Sequence, residues 1–241
     1  MRSEGIVCAL LLLSTAACGP SEAESSPTPR ATATGVPSPT PSPTACPGGT
    51  AILPGGKATL SFVERLEAIP IEHTGVMTTQ GEAVRGTYLL RPSGEFESCS
   101  IVLVELRGLQ SQDNPFLGIS LPDFNSNGGG HSPETSHRDD TAQGALETRQ
   151  HPDAIFRPHS ISGLAPGQGT SNVVVAGALT LKGVTRDGEW RGTVTRSGGE
   201  TRVDLKTTVK WSDFELDIPT PPYIIRLEDH ATVEIAFSVR E

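Results

Sequence analysis

The strongest constraint on the fold is an alternation of apolar and polar side chains with a period of two. In residues 202–211, charged side chains such as Arg202 and Lys206 alternate with apolar ones, and residues 173–181 and 233–239 repeat the pattern. Successive side chains of a β-strand point to opposite faces, so each stretch is predicted to be a half-buried strand. Clean alternation indicates an antiparallel sheet with one solvated face, because parallel strands are usually buried on both sides.

Shorter stretches extend the predicted sheet, and turn residues at 186–188 and 197–200 predict hairpins between strands. One short helix is predicted at 141–149, and it must end before Pro152. About eight antiparallel strands must either pair as two sheets or close into a barrel. We therefore predict an all-β fold, an extended antiparallel barrel whose interior is filled by side chains or holds one ligand. The further strands are expected around Leu60 and Phe62, Val84 to Leu90, Ile101 to Leu106, Trp190 and Val194, and Tyr223 to Leu227.

The first 50 residues have a different composition from the rest. Residues 1–17 carry a basic residue, a short apolar run and small residues, the pattern of a signal peptide, and the run is too short to span a membrane. Residues 19–44 are rich in Pro, Ser and Thr and cannot bury enough surface to fold. We expect residues 18–50 to be a disordered tether, in which residues 19–44 alone reach roughly 80 Å when extended at about 3.1 Å per residue. A glycosylated stalk is the alternative, with the same mechanical role.

The sequence Thr15-Ala16-Ala17-Cys18 resembles a bacterial lipobox, in which the signal is cut before the cysteine and the cysteine is acylated. The resemblance implies that Cys18 is a lipid anchor. The mature protein would then be an extracytoplasmic, membrane-anchored lipoprotein of the bacterial cell envelope. The alternative is a plain secreted protein that is cut near the same place.

The net charge restricts the partners, and the cysteine content agrees with export. The net charge of −9 disfavours nucleic acid as a partner, because phosphate binding relies on clustered Lys and Arg. Cys46 and Cys99 are the cysteines left for the folded part once Cys8 leaves with the signal and Cys18 is acylated. A disulfide between them would close a loop of about 54 residues and stabilise the domain by about 4 kcal/mol, whereas two unpaired thiols would not.

Residues 177–185 read Gly-Ala-Leu-Thr-Leu-Lys-Gly-Val-Thr and resemble the "G-x-L-T-I-x-G-V-T" segment of the YceI-like, lipid- or polyisoprenoid-binding family. Upstream, His137-Arg138-Asp139 and residues 145–156 resemble its "R-D…L-x-T…P-x-A-x-F" segment, and Trp211-Ser212-Asp213-Phe214 follows in the expected order. The likeness covers nearly all of residues 58–241, and the domain is placed at 51–241. It implies a lipocalin-like barrel that holds a long apolar chain without catalytic residues, metal or cofactor.

Side chains of inward parity or large bulk are the candidates to line such a cavity, although each is equally compatible with simple packing. They are Phe62, Tyr88, Val104, Leu181, Leu205, Trp211, Ile235 and Phe237.

Residues 112–136 are an insertion relative to the family pattern. We expect its apolar part to form a lid over one mouth of the barrel, with the glycines as a flexible joint. The alternative is a surface loop with a few anchoring side chains. The apolar residues are Phe116, Leu117, Ile119, Leu121 and Phe124, and the glycines are Gly128, Gly129 and Gly130.

Three functions follow from these patterns. The first is non-enzymatic binding, sequestration or transport of an amphiphilic lipid, an isoprenoid or fatty-acyl chain, at the cell envelope. The second is a solid-cored envelope module that binds a protein partner. The third is a hydrolase or metal-dependent enzyme built on His131, His137 and Asp139, near Glu134 and Asp140. No nucleophile elbow, H-E-x-x-H, P-loop or dinucleotide motif supports the third, so we predict a protein that is not an enzyme. Asp139 is expected to pair with Arg138 or to cap the helix.

Overall fold

The computed structural model describes residues 46–66, 72–112, 133–219 and 224–240. This part of the chain forms one antiparallel sheet of 11 strands and one α-helix, α1, Pro133–Ala145. None of its helices has the length and apolar character required to cross a membrane. The strands are β1 Thr50–Ala51, β2 Lys57–Leu66, β3 Glu72–Thr79, β4 Val84–Tyr88, β5 Ile101–Glu105, β6 Leu109–Ser111, β7 Asp153–Ser162, β8 Gly169–Leu181, β9 Val184–Ser197, β10 Glu200–Val209 and β11 Ile224–Arg240, with a 3-10 turn at Ser212–Phe214.

The sheet is curled into a half-barrel. Its strand order is β1-β4-β5-β7-β8-β9-β10-β11-β2-β3-β6. Isolated bridges between Ile52 and Val239 and between Gly56 and Val84 draw the two sides of the curl together. The predicted all-β, lipocalin-like antiparallel architecture with one helix is therefore confirmed.

The longest strands place one apolar face on the inside of the curl. In β8 the buried residues Val173, Val175, Leu179 and Leu181 follow a period of two. β10 continues the same face with Val203, Leu205 and Val209, and β11 with Ile235, Phe237 and Val239. The predicted alternation is confirmed for all three strands.

The hairpin predicted at residues 186–188 is wrong. These residues lie inside β9, where Asp187 pairs with Ala178 of β8. The turn is instead the dipeptide Lys182-Gly183, with φ values of 49° and 78°. Two consecutive residues at positive φ fit the twist of a two-residue hairpin, and the glycine adopts this conformation without strain. The predicted turn at 197–200 is confirmed, because Ser197 pairs with Glu200 across it.

The helix begins earlier than predicted. It runs over Pro133–Ala145 instead of 141–149, and the chain leaves it through a turn in which Glu147 has a φ of 50°. Residues 134–140 are all polar, so no apolar stripe marks the first turns of the helix. The remaining signal for its beginning is Pro133, because proline is favoured at the first helical position. Asp139 lies inside α1, so the expectation that it caps the helix is also wrong.

Two further strand predictions need correction. Residues 224–240 form one long strand with register shifts against β2, where two strands were expected, and Tyr223 lies outside the described residues. Strand β7 was not predicted, because Pro158 cannot donate a ladder hydrogen bond. The structure accommodates this proline at a register shift between Pro158 and Ser160.

The two cysteines of the domain are joined. Cys46 and Cys99 form a disulfide with their Cα atoms 5.1 Å apart, and they are separated by 53 positions in the sequence. The Cys46 amide donates a hydrogen bond of 2.9 Å to Thr87 Oγ1 of β4. Together these contacts tie the first described residue to the segment that connects β4 to β5.

We expect reduction of this bond to lower the free energy of unfolding by about 4 kcal/mol, because the unfolded chain gains the entropy of an opened loop. Chemical denaturation with and without reductant measures the difference, and the Cys46→Ser/Cys99→Ser variant serves as the reductant-independent comparison. Equal unfolding midpoints for all three samples would contradict the prediction. Peptide mapping without reduction should recover Cys46 and Cys99 in one linked fragment.

Candidate ligand-binding site

The curled sheet encloses three apolar cavities. The helix-end cavity lies between β2, α1 and the segment after β10, and has a volume of about 60 Å³. The middle cavity has a volume of about 70 Å³, as does the loop-end cavity near Tyr88 and Phe96.

The cavities follow one another along the inside of the sheet. The helix-end and middle cavities share Leu60, Leu146 and Trp211 as wall residues. The middle and loop-end cavities share Val102, Phe156 and Ile235. Because neighbouring cavities are separated only by side chains, the interior is an elongated apolar space divided at two places.

All eight candidate lining residues from the sequence face these cavities. Phe62 and Trp211 line the helix-end cavity; Val104, Leu181, Trp211 and Ile235 line the middle one; Tyr88, Leu205, Ile235 and Phe237 line the loop-end one. The structure thus brings the set together along one space. Contact of these residues with a ligand stays a prediction.

Several wall residues were missed from the sequence. Trp190 is 2% exposed and its ring centroid lies 5.0 Å from that of Phe156. Its period-two relation to Val194 could have placed it on the inner face. Phe156 lies on β7 and Met77 on β3, two strands that were not predicted, so no pattern pointed to them.

Glycines on neighbouring strands make room for two wall aromatics. A Cβ atom at Gly75, the register partner of Phe62, would lie 2.5 Å from the Phe62 ring. A Cβ at Gly177 would lie 2.6 Å from the Phe156 ring. A side chain at either position would force the ring to move. The two glycines therefore shape the helix-end, middle and loop-end walls.

The helix-end cavity contains a charged pair in an otherwise apolar wall. Arg138 of α1 donates a hydrogen bond from Nη2 to Glu64 Oε1 of β2 at 2.5 Å, and both side chains are buried. The guanidinium carbon lies 5.6 Å from the Phe62 ring centroid. Since the two formal charges cancel, this end of the interior presents no net charge.

Asp139 connects the helix to the sheet. Its Oδ1 accepts hydrogen bonds from the Ser111 amide and hydroxyl, both at 2.7 Å. His131 lies outside the described residues, as do Phe116 to Gly130 of the hypothetical lid, and the side chains of Glu134 and His137 are not described. Within the described ranges, no group of three or more His, Cys, Asp or Glu residues is arranged to hold a metal ion.

A capped turn positions Trp211 in the wall. The Trp211 indole donates to the Glu228 carbonyl at 3.0 Å, and the Ser212 amide and hydroxyl donate to the Asp229 carboxylate at 2.9 and 2.6 Å. The hydrogen bonds from Ser212 lower the pKa of Asp229 below its usual value of 3.8. The turn after β10 is thereby fixed to β11.

The lowered pKa of Asp229 predicts a pH-dependent contribution to stability. The contribution is fully present above pH 3.8, where the unfolded-state carboxyl is ionised, and is lost as the pH falls through the lower folded-state value. We expect Asp229→Asn to unfold more easily than wild type near neutral pH, with the difference shrinking below pH 3.8. Thermal unfolding across this range measures it, with Asp187→Asn as an exposed control. A difference that is independent of pH would contradict the assignment.

A curled antiparallel sheet around an elongated apolar interior defines the class of lipocalin-like barrel proteins. Residues 120–239 match the YceI-like domain, so the chain belongs to the family of proteins with a YceI-like domain. The resemblance noted from the sequence is thereby confirmed. No curated protein matches the sequence.

Solved structures are similar at low sequence identity. A polyisoprenoid binding domain from Saccharophagus degradans, implicated in plant cell wall breakdown, is 13% identical, with a TM-score of 0.51 over 78% of this chain and 99% of that one. BcnA of Burkholderia cenocepacia is 16% identical, with a TM-score of 0.43 over 75% and 95% of the two chains. The YCEI protein of Campylobacter jejuni is 18% identical, with a TM-score of 0.43 over 64% and 78%.

Proposed function

We propose that this protein binds an amphiphile with a long apolar chain, an isoprenoid or a fatty-acyl lipid, inside the curled sheet without catalysing a reaction. The observation that carries the proposal is the series of three apolar cavities with shared walls. Membership in the YceI-like family and the similar fold of a polyisoprenoid binding domain support it.

The energetics favour an elongated apolar guest. Empty apolar space is costly in a folded domain, because its wall atoms lose dispersion contacts. A hydrocarbon chain restores those contacts and contributes about 0.8 kcal/mol for each methylene removed from water. Affinity then rises with chain length. A solid-cored module that binds a protein partner would not need this space, so the cavities favour the carrier over that alternative.

The N-terminal segment supplies the proposed location. In this proposal residues 1–17 are cleaved, Cys18 is acylated, and the segment between Cys18 and the disulfide-bonded Cys46 holds the folded domain away from the membrane. The composition of residues 19–44 and the lipobox-like sequence before Cys18 support it. The protein would then bind or ferry lipid at the bacterial cell envelope.

We expect the purified protein to carry or take up long-chain lipid. Organic extraction and native mass spectrometry should detect a bound lipid, and affinities for unbranched alcohols should rise with each added methylene by about 0.8 kcal/mol until the interior is filled. Trp190 and Trp211 both line the middle cavity, so their fluorescence reports binding. An empty extraction together with no length dependence would overturn the proposed function.

Filling the middle cavity should shorten the preferred ligand. Val209 lines this cavity and is buried, whereas its neighbour Lys210 is exposed. We expect Val209→Trp to cost about 1–3 kcal/mol of stability through overpacking and to abolish the advantage of long over short chains. Lys210→Trp should leave the length dependence unchanged. Equal length dependence in both variants would show that the middle cavity is not part of the ligand path.

A further inference from the structure

Each compartment of the apolar interior is small. The helix-end cavity has a volume of about 60 Å³, and the middle and loop-end cavities have about 70 Å³ each. For comparison, an apolar cavity of about 150 Å³ holds a single benzene ring. A long chain therefore has to occupy more than one cavity, and the side chains between the cavities decide how far it reaches.

Three side chains separate the middle cavity from the loop-end cavity. Val102 of β5, Phe156 of β7 and Ile235 of β11 line both cavities. Val102 is the direct register partner of Phe156, whereas β11 lies four positions away from β7 in the order of the sheet. This set, the Phe156 partition, thus joins distant parts of the curled sheet across the interior, and Phe156 is its largest member.

The ring of Phe156 is held in place on two sides. It lies over Gly177 of β8, where a Cβ atom would come within 2.6 Å of the ring. On another side the Trp190 ring centroid is 5.0 Å away, and the two ring planes are inclined by 48°. The Phe156 side chain is 4% exposed. Because a closely packed wall leaves little room for a ring to turn aside, Phe156 is a fixed obstacle between the two cavities.

The boundary between the helix-end and middle cavities is different. It consists of Leu60, Leu146 and Trp211. The Trp211 ring is fixed by its hydrogen bond to the Glu228 carbonyl. Leu60, however, is half-buried, so its side chain has more freedom to change between staggered rotamers than a fully buried one. This boundary therefore yields to an entering chain more easily than the Phe156 partition does.

We propose that Phe156 sets the maximum chain length of the ligand. The chain occupies the helix-end and middle cavities and ends against the Phe156 ring. This inference rests on the proposed lipid binding and adds a specificity-determining residue to it. A methylene beyond the limiting length stays outside the apolar space, so affinity stops rising with length at that point. One side chain of β7 then decides which chain lengths the protein selects.

Affinities for unbranched alcohols of increasing length, measured by isothermal titration calorimetry, test the proposal. In wild type, affinity should rise about fourfold with each added methylene and stop rising at a limiting length. Phe156→Ala joins the middle and loop-end cavities, so the limiting length should move to longer alcohols. Alcohols shorter than the wild-type limit should bind both proteins with similar affinity.

Two further variants assign the effect to the ring. Phe156→Leu keeps an apolar side chain in the wall and disturbs folding less, and it should move the limiting length in the same direction by a smaller step. The matched control is Leu103→Ala. Leu103 is 5% exposed on the neighbouring strand β5 but faces away from the cavities, since Val102 and Val104 on either side of it line the middle cavity. This control should keep the wild-type limit.

The possible results distinguish the length assignment from lipid binding itself. If both Phe156 variants keep the wild-type limit, or if wild-type affinity rises through the longest alcohol without a limit, Phe156 is not the stop and lipid binding stands. If Leu103→Ala shifts the limit as far as Phe156→Ala does, the shift comes from a loosened core and the assignment is wrong. If no alcohol binds to wild type or to any variant, both the assignment and the proposed function are overturned. Circular dichroism establishes that each variant is folded.

Discussion

The interior depends on the register in which the four consecutive strands β8, β9, β10 and β11 pair with one another. Each strand contributes every second residue to the inside, so a slip of one residue in any pair would exchange the apolar face for the charged one. The two-residue turns at Lys182-Gly183 and Gly198-Gly199 limit such slips, because each fixes the first pair of its ladder. The β8–β9 ladder then continues without a register shift to Gly169 and Arg196. The continuous inner face of β8, β9 and β10 follows from these turns.

The interior combines close packing with retained space. Phe62 and Phe156 are fitted over Gly75 and Gly177, and both aromatic side chains are buried. Such contacts stiffen the wall, while the volume between opposite walls remains only partly filled. The buried pair of Arg138 and Glu64 adds a polar link between α1 and β2 at one end of this space. Removing one partner of such a pair is costly, since the other charge is left buried, and the link therefore holds the helix in one place.

Much of the architecture could be predicted from the sequence, since β8, β10 and β11 alternate cleanly and have few turn residues. The predictions failed where another local preference masked the alternation. Pro158 concealed β7, and the polar first turns of α1 concealed its beginning. The inward residues could be chosen by parity, but the empty space could not, because a filled barrel requires the same alternation.

The disulfide also determines how mechanical load enters the domain. Strand β1 has only two residues, so a pull on the preceding chain would otherwise peel it from β4 with little resistance. The covalent link at Cys46 instead transfers the load to Cys99, which lies between β4 and β5, the second and third strands from this edge of the sheet. A pull on the N-terminal segment would therefore load β4 and β5, which pair with each other, and not the two-residue β1 alone. The apolar interior would stay closed under loads that would unzip an edge strand.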